Sequence, residues 1–246
     1  MITVAFDGAV AQNEVGYAVL GGKRLMAEIV RVRGTRCDMQ VFESTSELMV
    51  DDRVEFTGNL LAAELGPGIL TQVYDGLQNP LPELAREVEN TEGKERSFFL
   101  QRGMYLPGLP REKKWDWHPT AKPGARLTAG EELGWVTEGI FHHKIMVPFS
   151  FAGSWTVKDL APAGDYTVVD DIATLQGPDG GEKKVQMMQR WPGKVPITDT
   201  KDQILNLHQI ITITSIVEVD GFGEAEALRR QLFNSKSHFP LVTLTH

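Results

Sequence analysis

A protein that acts on a nucleotide needs a cradle for phosphate. The usual run is G-x-x-x-x-G-K-[ST], in which successive backbone N–H groups wrap the phosphates and a lysine reaches them. The 246-residue sequence has no such run. Gly177-Pro178-Asp179-Gly180-Gly181-Glu182-Lys183 is glycine-rich, but its spacing is wrong and Asp179 and Glu182 repel phosphate. It reads as a hairpin turn. The pair His142-His143 suggests a metal, yet neighbours on a strand point to opposite faces and cannot converge on one ion. Asp165, Asp170 and Asp171 lack the spacing of a calcium loop and read as solvated turn charges. His118, beside Trp117, reads as a packing or surface residue. Arg111, Lys113 and Lys114 precede Trp115 as a basic and aromatic patch, but Glu112 interrupts it and a solvated loop is expected. Cys37, in an alternating stretch, reads as a small buried hydrophobe. No nucleophile, base and orienter stand at recognisable spacing. No catalytic, nucleotide-binding or metal-ligating residue is therefore assigned.

The least generic stretch is a connector. It runs from Glu64-Leu65-Gly66-Pro67-Gly68 through Tyr74-Asp75-Gly76-Leu77-Gln78-Asn79-Pro80-Leu81. Two glycines around a proline turn the backbone sharply and rigidly. Ile69, Leu70, Val73 and Leu77 are spaced for one or two helical turns, which Gly76 stops and Asn79-Pro80 ends. Gly66-Pro67-Gly68 is no phosphate loop, because Pro67 has no N–H to offer and no lysine follows.

Before this connector the sequence breaks into short strands. Segments 2–6, 15–20, 24–32, 37–42 and 53–57 are apolar or alternating and stop at turn residues. Ser44 and Glu47 have capping-box spacing, which suggests a single helical turn. A small closed barrel or sandwich is expected. After the connector, Leu81, Leu84, Ala85 and Val88 fall on one helical face. Residues 97–192 then carry all five tryptophans. Strand-like pieces at 134–136, 144–147, 155–160, 166–169 and 184–188, with turns at Ala163-Gly164-Asp165 and 177–181, predict a second, aromatic-cored β body. In the tail, 210–219 reads as a strand and 224–232 as a helix. The chain is therefore expected to be mainly β. Its expected parts are a barrel at 1–62, a connector with short helices at 63–96, a Trp-rich body at 97–192 and a short α/β tail at 193–246.

Composition narrows the classes. Apolar residues make up 41% and charged residues 24%, ordinary for a soluble globular chain. A formal net charge of -8 disfavours a nucleic-acid surface. No apolar run approaches the roughly 20 residues that span a bilayer, and no secretory signal is visible. The single cysteine excludes an intrachain disulfide and fits a reducing cytoplasm.

The connector and several later blocks resemble the catalytic A subunit (alpha chain) of V-type and A-type rotary ATPases. After the connector come Arg102-Gly103, then Lys114-Trp115-Asp116-Trp117-His118-Pro119, then 143–148 and Gly153-Ser154-Trp155. Next are 160–168, with Pro162 and Gly164, and Arg190-Trp191-Pro192 with Val195-Pro196. The resemblance covers about residues 1 to 198. It rests on Glu64, Gly66, Pro67, Gly68, Asp75, Gly76, Pro80, Trp115, Trp117, Trp155, Pro162, Gly164, Trp191 and Pro192 as structural positions.

The resemblance implies that the first segment is a barrel joining the crown of an alternating A/B hexamer. It implies that the Trp-rich segment is a bulge, absent from F-type subunits, that faces the peripheral stalks. It also implies B subunits and stalk subunits as partners, a cytoplasmic place on the membrane complex, and ATP with Mg as the parent family's cofactors. In that family the ATP-binding body follows the Arg-Trp-Pro segment. After Asp199 the resemblance fades, so the chain is expected to lack that body, to hold no cofactor and to be inactive alone. Asn79 stands where the family usually has arginine, a change a connector is expected to tolerate. Two other readings compete: an independent β module that regulates the ATPase head, and a β body that binds a small ligand through its Trp-rich surface.

Overall fold

In a computed structural model, residues 1–70, 72–92 and 102–195 are described. The tail strand and helix expected beyond residue 199 lie outside them. Fifteen strands and one helix follow in order among the described residues. Strands β1 (Ile2–Ala5), β2 (Glu14–Leu20), β3 (Lys23–Arg33), β4 (Arg36–Val41) and β5 (Val54–Leu60) form one antiparallel sheet, in the order β1-β4-β3-β2-β5. The alternation read at Cys37, Met39 and Val41 is the inward face of β4, and all three are buried with Leu25, Ala27 and Ile29. The thiol of Cys37 is pushed up by that burial.

The barrel expected here is not closed by backbone bonds, since β1 and β5 are the two edges of the sheet. The sheet curls, and side chains meet at the seam: Phe6 and Phe56 stack edge to face at 6.0 Å over the same core. The helical turn expected at Ser44–Glu47 is a plain turn. Ser44 Oγ lies 3.2 Å from Ser46 Oγ, and Leu48 N–H bonds the Thr45 carbonyl.

Strand β6 (Ala62–Leu65) leads into the connector, and helix α1 (Leu81–Glu92) follows it. Among the described residues of 69–77 the expected helical turns do not form. Asp75 instead takes the N–H groups of Leu77 and Asn79 on its carboxylate, which fixes a turn that competes with helix. Within α1, Leu84 is buried, but Ala85 is exposed rather than on the inner face. Pro80 stands just before the helix and gives its carbonyl to Leu84 N–H.

The Trp-rich body is two four-stranded antiparallel sheets. One is built from β7 (Trp115–Pro119), β9 (Glu132–Glu138), β10 (Phe141–Met146) and β12 (Gly164–Tyr166), in the order β10-β9-β7-β12. The other is built from β8 (Arg126–Thr128), β11 (Ser154–Leu160), β13 (Asp171–Gln176) and β14 (Glu182–Gln186), in the order β14-β13-β11-β8. Trp115, Trp117, Trp155, Val157, Ile172 and Leu175 share one core between them. The turn at 177–181 joins β13 to β14 as expected. The strand expected at 166–169 is displaced: Gly164–Tyr166 pairs with β7, and Asp170 caps Thr167 N–H at 2.7 Å, turning the chain early. Finally β15 (Gln189–Pro192) returns to pair with β6, so entry and exit of the Trp-rich body lie side by side.

Candidate functional site

The groups with most chemistry meet at the junction where β6, the connector and β15 come together. Pairing sets Trp191 opposite Ala63 and Pro192 opposite Ala62. Gln78 serves the other edge of β6. Its side-chain amide accepts from Glu64 N–H and donates to the Glu64 carbonyl, both at 2.7 Å, as a neighbouring strand does. Glu64 itself is buried, and burying a charge demands a partner. Its Oε1 lies 2.6 Å from Arg111 Nη2 and 3.9 Å from Arg190 Nε, and its Oε2 accepts Leu109 N–H at 3.3 Å. Arg111 is thus a structural ion-pair partner rather than the solvated loop residue expected. Asp75 bonds the Asn79 amide at 2.8 Å, and Asn79 Oδ1 takes Leu106 N–H at 2.9 Å. Asn79 is 3% exposed, a bonded relay between connector and strap. Gly76 lies inside the turn that Asp75 fixes.

The Gly66-Pro67-Gly68 turn does bind an anion, and the anion is internal. Gly68 N–H donates to Glu138 Oε1 at 2.7 Å and Leu70 N–H to the same oxygen at 3.1 Å. Glu138 Oε2 is 2.6 Å from His143 Nδ1, and both side chains are buried. This is the arrangement of a backbone anion nest, filled by the protein's own carboxylate. Gly68 has φ +106°, and a Cβ there would come within 2.8 Å of the Pro110 ring. Gly66 lies against the Met187 carbonyl. Tyr74 donates its hydroxyl to the Gly108 carbonyl at 2.8 Å, and burial with the carboxylates of Glu138, Glu83 and Glu64 nearby pushes its ionisation far up.

The tryptophans divide by role. Trp117 is fully buried, with Nε1 bonded to the Ala161 carbonyl at 3.1 Å, beside Pro162 and opposite Gly164. Trp155 bonds the Ala152 carbonyl and packs on Phe151. Trp115 is buried near Gly68, with Lys113 Nζ 3.8 Å from its ring centroid. Trp191 bonds the Val195 carbonyl at 2.8 Å and meets Phe149 edge to face. Trp135 lies outside the core, stacked between His118 at 4.1 Å and His142 at 3.9 Å. His142 and His143 do take opposite faces: one stacks on Trp135, the other is buried against Glu138.

Two structural positions escaped the sequence reading, Glu138 and Gly134, and Arg111 was read there as part of a solvated loop. A period-two signal was present for the first. Gly134, Val136 and Glu138 alternate on the inward face of β9, so Glu138 had to be buried and partnered. Gly134 is required by contact, because a Cβ there would meet the Trp117 ring and the His118 carbonyl at 2.4 Å.

Two family descriptions match the two bodies. Residues 1–58 match the ATP synthase alpha/beta family, beta-barrel domain, and residues 106–194 match the ATPsynthase alpha/beta subunit barrel-sandwich domain. The chain belongs to the ATP synthase alpha/beta family. Within it, the chain is 44% identical over 218 residues to the V-type ATP synthase alpha chain of Borrelia hermsii. The corresponding alpha chains of Borrelia recurrentis and Borreliella burgdorferi are 45% and 43% identical over the same length. Each match covers 89% of this chain and 36% of the relative, so the chain spans about a third of the length of the alpha chains it matches. A match of 218 residues reaches past Asp199, further than the resemblance read from the motifs. It is to the N-terminal part of the V-type alpha chain that these residues correspond. Among the described residues no helix is long and apolar enough to cross a membrane.

Proposed function

We propose that the chain serves as the barrel and bulge portion of a V-type ATP synthase alpha chain, with an assembly role in the A/B head of an ATP-driven proton or sodium rotary complex. The observation that carries this reading is the β6–β15 ribbon. It gathers both ends of the Trp-rich body at one place, so that body stands as a lateral excursion from the barrel stem. One family match ends before β6, and the other takes in the Trp-rich body together with β15. In this reading residues 1–62 contact B subunits, and residues 97–192 contact peripheral-stalk subunits. Residues 63–96 set the angle between them, and 193–246 lead onward. In this reading the stretch supplies position, while ATP chemistry belongs to other parts of the head. Its place is the cytoplasmic, peripheral face of the membrane complex.

Co-expression of the chain with B subunits, followed by size-exclusion chromatography with light scattering, tests the reading. Co-elution supports it, and separate elution at tens of micromolar overturns the barrel contact. Calorimetric titration with Mg-ATP is expected to give no heat of binding. A micromolar dissociation constant would sink the division of labour.

A further inference from the structure

A cavity of about 350 Å³ opens between the curled N-terminal sheet and the connector. Nothing in the assembly role uses it. Its volume falls in the range of small-molecule sites. Val15, Leu60, Leu77 and Leu106 line it together with the polar side chains of Thr57, Asn59, Gln78 and Asn79. Glu64, Arg111 and Arg190 line it too, two guanidiniums for one carboxylate. Arg111 is committed: one Nη2–Oε1 contact of 2.6 Å to Glu64, and Nη1 set toward Met188 Sδ, a weak acceptor. Arg190 is not. Its one ionic contact is 3.9 Å long, and its side chain is 69% exposed. The three charged groups that line the cavity thus leave one surplus positive charge in a chain of net charge -8.

We infer that this cavity is a binding site for a small organic anion: one carboxylate or phosphate head on an apolar body. The head pairs with Arg190 at the mouth, where a planar guanidinium suits a two-oxygen acceptor. The apolar body lies against Val15, Leu60, Leu77 and Leu106. A dianion is disfavoured, because Glu64 already neutralises one of the two arginines.

Isothermal titration of the 246-residue chain with benzoate, inorganic phosphate and benzyl alcohol, at fixed ionic strength, tests this. Benzoate is expected to bind saturably at one site, phosphate more weakly but in competition with it, and benzyl alcohol not at all. Arg190→Gln is expected to weaken benzoate at least about tenfold, the loss of one charge-assisted pair. Its melting temperature should not change, since the side chain is exposed. Leu77→Ser should weaken benzoate while leaving phosphate unchanged. Equal benzoate affinity in Arg190→Gln, or equal binding of benzyl alcohol and benzoate, overturns the anion assignment. Phosphate binding as tightly as benzoate overturns the apolar half of it.

Discussion

The two β bodies solve the same problem, covering sheet edges and filling a core, with different materials. The N-terminal sheet uses small and aliphatic side chains, such as Ala18, Leu25, Ala27, Ile29, Met39 and Val41, and one aromatic contact at its seam. Its core needs almost no hydrogen bonds from side chains. The Trp-rich body uses two facing sheets with large indoles between them, and each indole brings an N–H that burial obliges it to satisfy. Trp117 and Trp155 do so on carbonyls of nearby loops, so packing and loop position become one constraint, whereas Trp115 Nε1 is buried without a hydrogen-bond partner. Aliphatic cores tolerate substitution of similar volume. The two anchored indoles, Trp117 and Trp155, tie this core to particular loops, so it tolerates substitution less well.

The largest expected effect is Trp117→Ala, which removes a fully buried indole and its bond to Ala161. A cost of about 4 kcal/mol is expected, read as an early urea transition in near-ultraviolet circular dichroism. Met39→Ala should cost about 3 kcal/mol in the N-terminal sheet. If the bodies fold separately, each variant shifts its own transition and leaves the other in place. One shared transition, displaced by both, would break the comparison and make the junction part of a single core.

Glu138→Ala comes next, at about 2 kcal/mol. It strands the N–H groups of Gly68 and Leu70 and leaves His143 without its partner. Hydrogen exchange should speed up at those two amides while the amides of β3 keep their protection. Unchanged exchange at Gly68 would remove the internal anion from its role in holding the turn. Gly134→Ala should cost about 1–3 kcal/mol by overpacking against Trp117, seen as lost indole dispersion in proton spectra.

The smallest effect concerns acid. Bonds from Thr137 N–H and from His118 hold Asp116 below its usual value of 3.8. The unfolded chain therefore binds this proton more readily. The stability Asp116 adds is present above the unfolded pKa and is lost as pH falls through the folded one. Asp116→Asn should lower stability slightly at pH 7, where the exposed carboxylate makes its small contribution, and converge with the parent below about pH 4, which flattens the acid limb. An acid limb of unchanged slope would assign acid sensitivity to other carboxylates.

Much of this could be read before any coordinates. The strands at β1 to β5, the alternation of Cys37, Met39 and Val41, helix α1 and the turn at 177–181 follow from short-range periodicity and turn chemistry. Strands β7, β8, β13 and β15 carried weaker patterns, with proline, arginine or aspartate inside them, and were not read. The helical turns expected at 69–77 failed because an aspartate side chain outbid the backbone for two N–H groups.

Sequence alone determined where the glycines and prolines of the connector turn the chain, and that Gly66-Pro67-Gly68 has no lysine with which to cradle a phosphate. Only the tertiary structure decided what that turn does hold. Its amides meet the carboxylate of Glu138, nearly seventy positions away. No local pattern specifies that partner. A buried N–H takes whichever acceptor the packing of distant strands delivers, and that delivery is a property of the whole fold.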